Sequence, residues 1–274
     1  MRILLKILGS LFLLILLQTF ELSAQRNYSN PLEPQKPELK REWGFFLGLG
    51  GVKQSGTFLT SNCNCEFSDG GGFDLILGGL FEQEVFYGLR AGIGAGFNLK
   101  TLNASYRERE NVNLTSQTTG KSENVPIWFR HQADASFFYL PVLPYLKWTP
   151  AEIIFLKAGL NFSFLLTSSI KHVKELQDET ANLSTGEVVS VFIDGDNPKS
   201  KVIEDGPFPG TKSFFMAFEP AVGFNFRTGK KSFFSTELQY SMPLTNVTEK
   251  GDNFRFSTFR FIAELRFDIT PVPE

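Results

Sequence analysis

Phe254-Arg-Phe-Ser-Thr-Phe-Arg-Phe-Ile-Ala-Glu-Leu-Arg-Phe267 decides how this chain is read. Within it Phe259, Phe261, Ala263, Leu265 and Phe267 alternate with Arg260, Glu264 and Arg266. Successive side chains on a strand point to opposite faces, so a period of two sorts these residues into an apolar face and a charged face. The stretch from Phe214 to Phe226 repeats the arrangement. Phe214, Met216, Phe218, Val222, Phe224 and Phe226 share one face, and Ala217, Glu219, Ala221, Gly223 and Asn225 share the other. Farther toward the N-terminus, Ile154, Leu156, Ala158, Leu160, Phe162 and Phe164 oppose Lys157, Gly159, Asn161 and Ser163. Leu89, Ala91, Ile93, Ala95 and Phe97 oppose Arg90, Gly92, Gly94, Gly96 and Asn98.

Eight strands follow from this pattern, near 43–53, 73–82, 86–100, 134–147, 153–168, 212–226, 232–242 and 254–268. Each reaches the roughly 9–11 residues that a tilted membrane-spanning strand needs. A soluble sandwich has the same period, and the connections separate the two. Short links at 83–85, 149–152 and 227–231 alternate with long ones near 54–72, 101–133, 169–211 and 243–253. Short turns on one side and long loops on the other are the habit of an outer-membrane barrel, and an even strand number returns both chain ends to the periplasmic side. No stretch after the N-terminus is as long and apolar as a spanning helix, which leaves a closed barrel as the other way to satisfy every backbone group in lipid. The expected fold is all-β: an eight-stranded antiparallel up-and-down transmembrane β-barrel with short periplasmic turns and long extracellular loops.

Composition agrees. The chain has 30 Phe and 24 Gly. Phe suits a wall facing lipid, and Gly suits positions where side chains crowd inward. A net charge of -2 gives no basic face for nucleic acid. Trp43, Phe81, Phe86, Tyr87, Trp148, Phe226, Phe234 and Phe267 fall at the short-turn ends of the strands, the place of an interfacial aromatic girdle. Pro141 and Pro144 each remove a ladder donor from the fourth strand and predict a bulge or loose pairing there.

The domain plan has four parts. Residues 1–24 read as a signal peptide, with Arg2 and Lys6 before an apolar run from Ile7 to Leu17 and a small-residue exit at Ala24. No Cys follows that run, so no lipid anchor is expected. Residues 25–42 are a Pro-rich periplasmic lead-in, 43–268 the barrel, and 269–274 a C-terminal tail.

Several stretches resemble the Bacteroidota-type outer-membrane β-barrel family, which includes the PorT proteins of type IX secretion. They are Ser23-Ala24-Gln25, Tyr139-Leu-Pro-Val-Leu-Pro-Tyr-Leu-Lys-Trp148, Leu156-Lys-Ala-Gly-Leu-Asn-Phe-Ser-Phe-Leu-Leu166, Ser235-Thr-Glu-Leu-Gln-Tyr240 and Leu244-Thr-Asn246. The resemblance implies an outer-membrane location, contact with outer-membrane lipid, and other envelope or type IX secretion proteins as partners. It implies no single activity.

Chemistry is sought first among the inward charges. Arg90, Lys157, Glu219, Glu237, Arg260, Glu264 and Arg266 mix signs across five strands. An eight-stranded barrel has room inside for little more than side chains, and buried charges need partners, so a paired polar plug is expected. Cys63 and Cys65 sit in the first long connection, where an oxidising compartment permits a disulfide; free thiols rank next, and a metal site last, because no His is near in sequence. His131 and His172 fall in expected external loops. Ser168, Ser169 and His172 could imitate a Ser/His pair, but no acid is placed to orient the His. Asp194-Gly195-Asp196-Asn197 departs from a calcium loop, because Pro198 stands where an oxygen ligand is needed; a turn is expected. No cofactor motif is present.

The expected protein is therefore non-enzymatic and acts through its extracellular loops, by binding, adhesion or assembly with envelope or secretion machinery. The alternative is a small lipid-modifying enzyme or solute transporter. Within the loop 169–211, residues 187–193 are expected to form a strand paired with 171–176.

Overall fold

The computed structural model describes residues 39–270, apart from Asn64, Tyr87, Glu152 and 194–196. The signal peptide, most of the Pro-rich lead-in, residues 271–274 of the tail and the 194–196 turn thus lie outside the described residues, as does Tyr87 of the girdle. Among the described residues all regular elements are strands: β1 (Arg41–Ser55), β2 (Phe58–Leu59), β3 (Glu66–Phe67), β4 (Gly70–Phe86), β5 (Leu89–Thr115), β6 (Ser122–Trp148), β7 (Ile154–Leu176), β8 (Thr180–Asn182), β9 (Val188–Ser190), β10 (Ser200–Gly206), β11 (Phe214–Arg227), β12 (Ser232–Pro243) and β13 (Arg255–Asp268).

Eight of them close a ring in the order β1-β4-β5-β6-β7-β11-β12-β13, with every neighbour antiparallel. The seam between first and last strands is continuous, from Glu42 opposite Asp268 to Ser55 opposite Arg255. Closure removes the unpaired edges that a sheet in lipid could not tolerate. The eight expected strands each overlap one member of the ring. Around Pro141 and Pro144 the ladders lapse, and a register shift at Phe138/Tyr139 places an extra residue on β7, which turns the next residues of that strand over.

Two sides of the wall have opposite chemistry. Phe45, Leu47, Leu49, Phe97, Leu156, Phe218, Leu238, Phe259 and Phe261 are among the large apolar residues exposed on the outside. Glu42, Glu82, Lys147, Glu237, Arg260, Glu264 and Arg266 are buried inside. A soluble protein would reverse this arrangement, since burying charge and exposing Phe each cost free energy in water. In a bilayer the outer apolar band is solvated by lipid.

Farther from the short turns the arrangement does reverse. On β6, Leu140 and Phe138 face out, followed by Ser136, Asp134, Gln132 and Arg130, while Tyr139, Phe137, Ala135, Ala133, Phe129 and Ile127 face in and are buried. The strand continues, but its surroundings change from lipid to water. This corrects the expected long loop at 101–133, which is instead the upper half of a β5–β6 hairpin, with Thr101 opposite Ser136 and Thr115 opposite Ser122. Each strand has 27 residues, about 90 Å of chain at roughly 3.3 Å per residue, several times what a membrane crossing needs. The apolar outer face that marks a lipid-facing strand ends near residue 100 and returns near 134, because large apolar side chains are needed only where the wall meets lipid.

The loop expected at 169–211 is likewise about half strand. β7 continues to Leu176, and its end pairs with β6 on one side and with β10 on the other. The strand expected at 187–193 is limited to β9 and pairs with β8, not with 171–176; β10 takes that partner. The β8–β9 pair brings Ala181, Leu183, Val189 and Val191 against Ile127, Phe129 and Leu176, a small core at the far end of the hairpin.

Arginine at Phe261, in the middle of the apolar band, should cost about 2–4 kcal/mol or block assembly, the penalty for a charge facing mid-bilayer. Ser105→Arg, on the outer face of β5 beyond the reversal, should change stability by less than about 0.5 kcal/mol. Equilibrium unfolding in lipid vesicles checks both, and equal penalties at the two positions would contradict the boundary.

Candidate functional site

The interior is layered. Nearest the short turns, four carboxylates (Glu42, Glu82, Glu237 and Glu264) meet four cations (Arg90, Lys147, Lys157 and Arg266). Arg266 Nη1 donates to Glu42 Oε2 and Glu82 Oε2, each at 2.9 Å. Lys157 Nζ donates to Glu237 Oε1 at 2.7 Å and Glu264 Oε1 at 3.0 Å. Arg90 reaches Glu42 at 2.7 Å, and Lys147 reaches Glu82 at 3.4 Å. The Tyr145 hydroxyl donates to Glu82 Oε1 at 2.9 Å. Lys147 also lies over the Phe155 ring and Lys157 over the Tyr145 ring, with nitrogens 4.0 and 4.6 Å from the centroids.

An apolar layer of Phe46, Ile76, Leu80 and Ile262 comes next. Above it lies a second balanced layer, Asp74 and Glu219 against Lys100 and Arg260. Arg260 binds Asp74 through Nε, and through Nη1 donates to Glu219 Oε1 and Gln239 Oε1 at 2.9 Å each. Lys100 Nζ donates to Asp74 Oδ1 at 3.1 Å and Thr258 Oγ1 at 2.9 Å. Backbone space for these long side chains is made on β1: a Cβ at Gly44 or Gly50 would come within 2.9 Å of Cγ of Arg266 or Arg260. The cavity bounded by Phe46, Leu143, Lys157, Glu219 and Ile262 measures about 20 Å³, room for a water and not for a passage. Phe58, Phe67, Phe137, Phe208, Phe215, Phe254 and Phe256 then close the outer end.

All seven inward charges read from the sequence lie in these layers. Five further inward charges, Glu42, Asp74, Glu82, Lys100 and Lys147, are not among those expected from the sequence. Glu42, Glu82, Lys100 and Lys147 stand at the ends of the expected strands or just outside, where an alternation count has too few residues to assign a face. Asp74 lies in the Gly-rich start of β4, where glycines carry no apolar signal. Their parity with Phe46, Ile76 and Asn98 was the available clue.

Outside the apolar band, the structure gathers residues that the sequence keeps far apart. His131 on β6 and His172 on β7 are not in loops; they point inward and are 3% and 0% exposed. His131 Nδ1 lies 2.9 Å from His172 Nε2. Cys63 and Cys65, joined as a disulfide in the β2–β3 hairpin, pack on this pair: Cys63 Sγ is 3.8 Å from His172 Nδ1, and Cys65 Sγ is 3.8 Å from His131 Nδ1. Burial, then the neighbouring His131, lowers the His172 pKa to about 4. Burial and the Lys174 ammonium lower that of His131, so both rings are neutral at neutral pH. Glu108 and Glu110 approach His131 Nε2 at 3.8 and 3.7 Å. Neither expected serine joins His172: Ser168 bonds Thr211 at 3.2 Å, and Ser169 bonds Ser136 at 2.8 Å.

A closed eight-strand ring, a lipid-facing apolar band and a charge-balanced interior define the class: a bacterial outer-membrane β-barrel. No protein-family model matches the chain, and no curated protein matches it. Among solved structures it is similar to Ail, the attachment invasion locus protein of Yersinia pestis, at 11% identity over 82% of this chain and 98% of that one, with a TM-score of 0.29. Neisserial surface protein A is 8% identical over 83% and 97%, with a TM-score of 0.33. E. coli outer membrane protein W is 12% identical over 82% and 97%, with a TM-score of 0.31. With superpositions this loose, the class rests on the ring and its two faces, not on these likenesses.

Replacing Arg260 by Met leaves Asp74 and Glu219 buried without their shared cation and should cost about 3–5 kcal/mol in equilibrium unfolding. Adding Glu219→Gln restores the balance of the layer, with Asp74 still paired to Lys100, and should recover much of that loss, a non-additive result that independent sites would not give.

Proposed function

We propose that the protein is a closed outer-membrane barrel that works through its extramembrane part, by binding another protein of the cell envelope. The observation that carries this reading is the contrast between the two halves. The membrane half is filled by paired charge and aromatic rings, whereas the outer half is ordered strand with its own core. That outer half presents apolar side chains to water: Trp128 on the hairpin, Val188 on β9, Phe192 beyond it at 71% exposure, and Val202 on β10. Isolated exposed apolar residues are ordinary, but several on one ordered projection form a contact surface with little ordering entropy left to lose on binding. The resemblance of 139–148 and 156–166 to Bacteroidota-type barrels favours an envelope or type IX secretion assembly as the setting. The same resemblance, with the Ser23-Ala24-Gln25 exit, supports delivery through a signal peptide. The filled lumen supports this reading over a solute transporter, and the bonding of Ser168 to Thr211 and of Ser169 to Ser136 supports it over a Ser/His enzyme.

Removal of residues 107–130 is a direct test. Tyr106 lies opposite His131, so a two-residue Asn-Gly turn can rejoin the hairpin without disturbing the ring. The shortened protein should remain a heat-modifiable barrel and should lose the envelope protein that cross-linking recovers with the intact chain. Retention of that partner would contradict the reading. Planar-bilayer recording of the intact barrel should show no porin-like conductance, and a large steady current would contradict the closed lumen.

A further inference from the structure

The chain contains two Cys and two His, and the fold gathers them: Cys63, Cys65 and His172 offer ligand atoms within 4.8 Å of one another, and His131 adjoins Cys65 and His172. We propose that Cys63, Cys65 and His172 form a site for a thiophilic metal ion of the zinc class when the cysteine pair is reduced, with His131 orienting His172. The four come from three separate parts of the chain, the β2–β3 hairpin, β6 and β7. Nothing in strand pairing alone requires the hairpin to place its sulfurs on two imidazoles.

The spacing fits. Tetrahedral zinc holds thiolate at about 2.3 Å and imidazole nitrogen at about 2.0–2.1 Å, which separates sulfur from nitrogen by roughly 3.6 Å. Each cysteine sulfur lies 3.8 Å from an imidazole nitrogen. A histidine that binds metal through one nitrogen commonly directs the other N–H at a carboxylate, which fixes the tautomer and turns the free lone pair toward the ion. His172 has an equivalent partner: its Nε2 lies 2.9 Å from His131 Nδ1, and Glu108 and Glu110 face the other nitrogen of His131 at 3.8 and 3.7 Å. Tyr106 stacks on the His131 ring and the Phe67 edge packs on His172, so both rings are held in place.

In the oxidised chain the sulfurs are bonded to each other and offer no thiolate. Reduction by a dithiol breaks the Cys63–Cys65 bond. The two sulfurs take up two electrons and two protons, and the reductant becomes a disulfide. A divalent ion then displaces the two thiol protons as two sulfur–metal bonds form. The cluster thus alternates between a disulfide within the hairpin and a metal centre that joins the hairpin to β7.

Cobalt(II) is the probe, because thiolate-to-cobalt charge transfer reports sulfur ligation directly. The full refolded barrel, reduced with a dithiol and desalted without oxygen, should bind one cobalt per chain, with a charge-transfer band that zinc abolishes. The oxidised barrel should show none. Cys63→Ser and Cys65→Ser should lose the band, and His131→Gln and His172→Gln should weaken binding at least about tenfold. Glu108→Gln with Glu110→Gln should weaken it by about 10–100-fold, the usual effect of removing outer carboxylates. Ser169→Ala should change nothing. Heat-modifiability shows in each case that the barrel is intact. The proposal is overturned if the folded, reduced chain binds no cobalt. It is equally overturned if bound cobalt lacks the thiolate band, if the oxidised chain binds as well, or if the His131→Gln/His172→Gln double variant keeps full affinity.

Discussion

Each ionised group that points into this ring must find its counterion within the ring, because eight strands leave no water-filled interior to solvate it. That constraint organises the rest. It explains why charges come in layers of equal and opposite number, four against four and then two against two. It also explains why β13, the strand that carries Arg260 and Arg266, closes against glycine-bearing β1, where the guanidinium stems need backbone clearance. The pairing ties β1, β4, β5, β6, β7, β11, β12 and β13 together through side chains as well as through backbone ladders. In such a network a single substitution leaves several partners exposed to the cost of uncompensated charge.

Outside the lipid the same strands follow the opposite rule. The backbone of β5 and β6 does not change, yet the inward face passes from Lys147 and Tyr145 to Tyr139, Phe137 and Ile127, and the outward face from Leu140 to Asp134 and Arg130. One chain thus holds two proteins in sequence along its axis, one inside-out for lipid and one ordinary for water. The aromatic plug of Phe58, Phe137, Phe208, Phe254 and Phe256 sits at the junction and seals the charged layers from the outer half.

This explains what could be read from the sequence. Phe259 to Phe267 and Phe214 to Phe226 declare their faces because large apolar residues and charges alternate without interruption, and the charged members Arg260, Glu264, Arg266 and Glu219 follow from the same count. Glu42 and Lys147 do not, because a residue at the end of a strand has neighbours on one side only, and Pro141 and Pro144 blur the parity of β6. The hairpin from 101 to 133 has a clear period of two, but with the polarity of a water-soluble strand, so a search tuned to lipid passes over it. The convergence of Cys63, Cys65, His131 and His172 leaves no local trace at all. It depends on the register of β6 with β7 and on how the β2–β3 hairpin folds inward, neither of which spacing in sequence encodes.

The point where β6 leaves the lipid is the central claim, since the closed lumen and the working outer half both depend on it. Single nitroxide labels along β6 of the reconstituted barrel, read by collision with oxygen and with a water-soluble nickel chelate, locate it directly. At the outward positions Leu146, Val142, Leu140 and Phe138, oxygen should dominate, and from Ser136 through Asp134 to Gln132 the nickel chelate should take over, with Phe137 and Ala135 protected from both. Lipid-type accessibility persisting through Ser136, Asp134 and Gln132, or nickel reaching Phe137 and Ala135, would contradict the account.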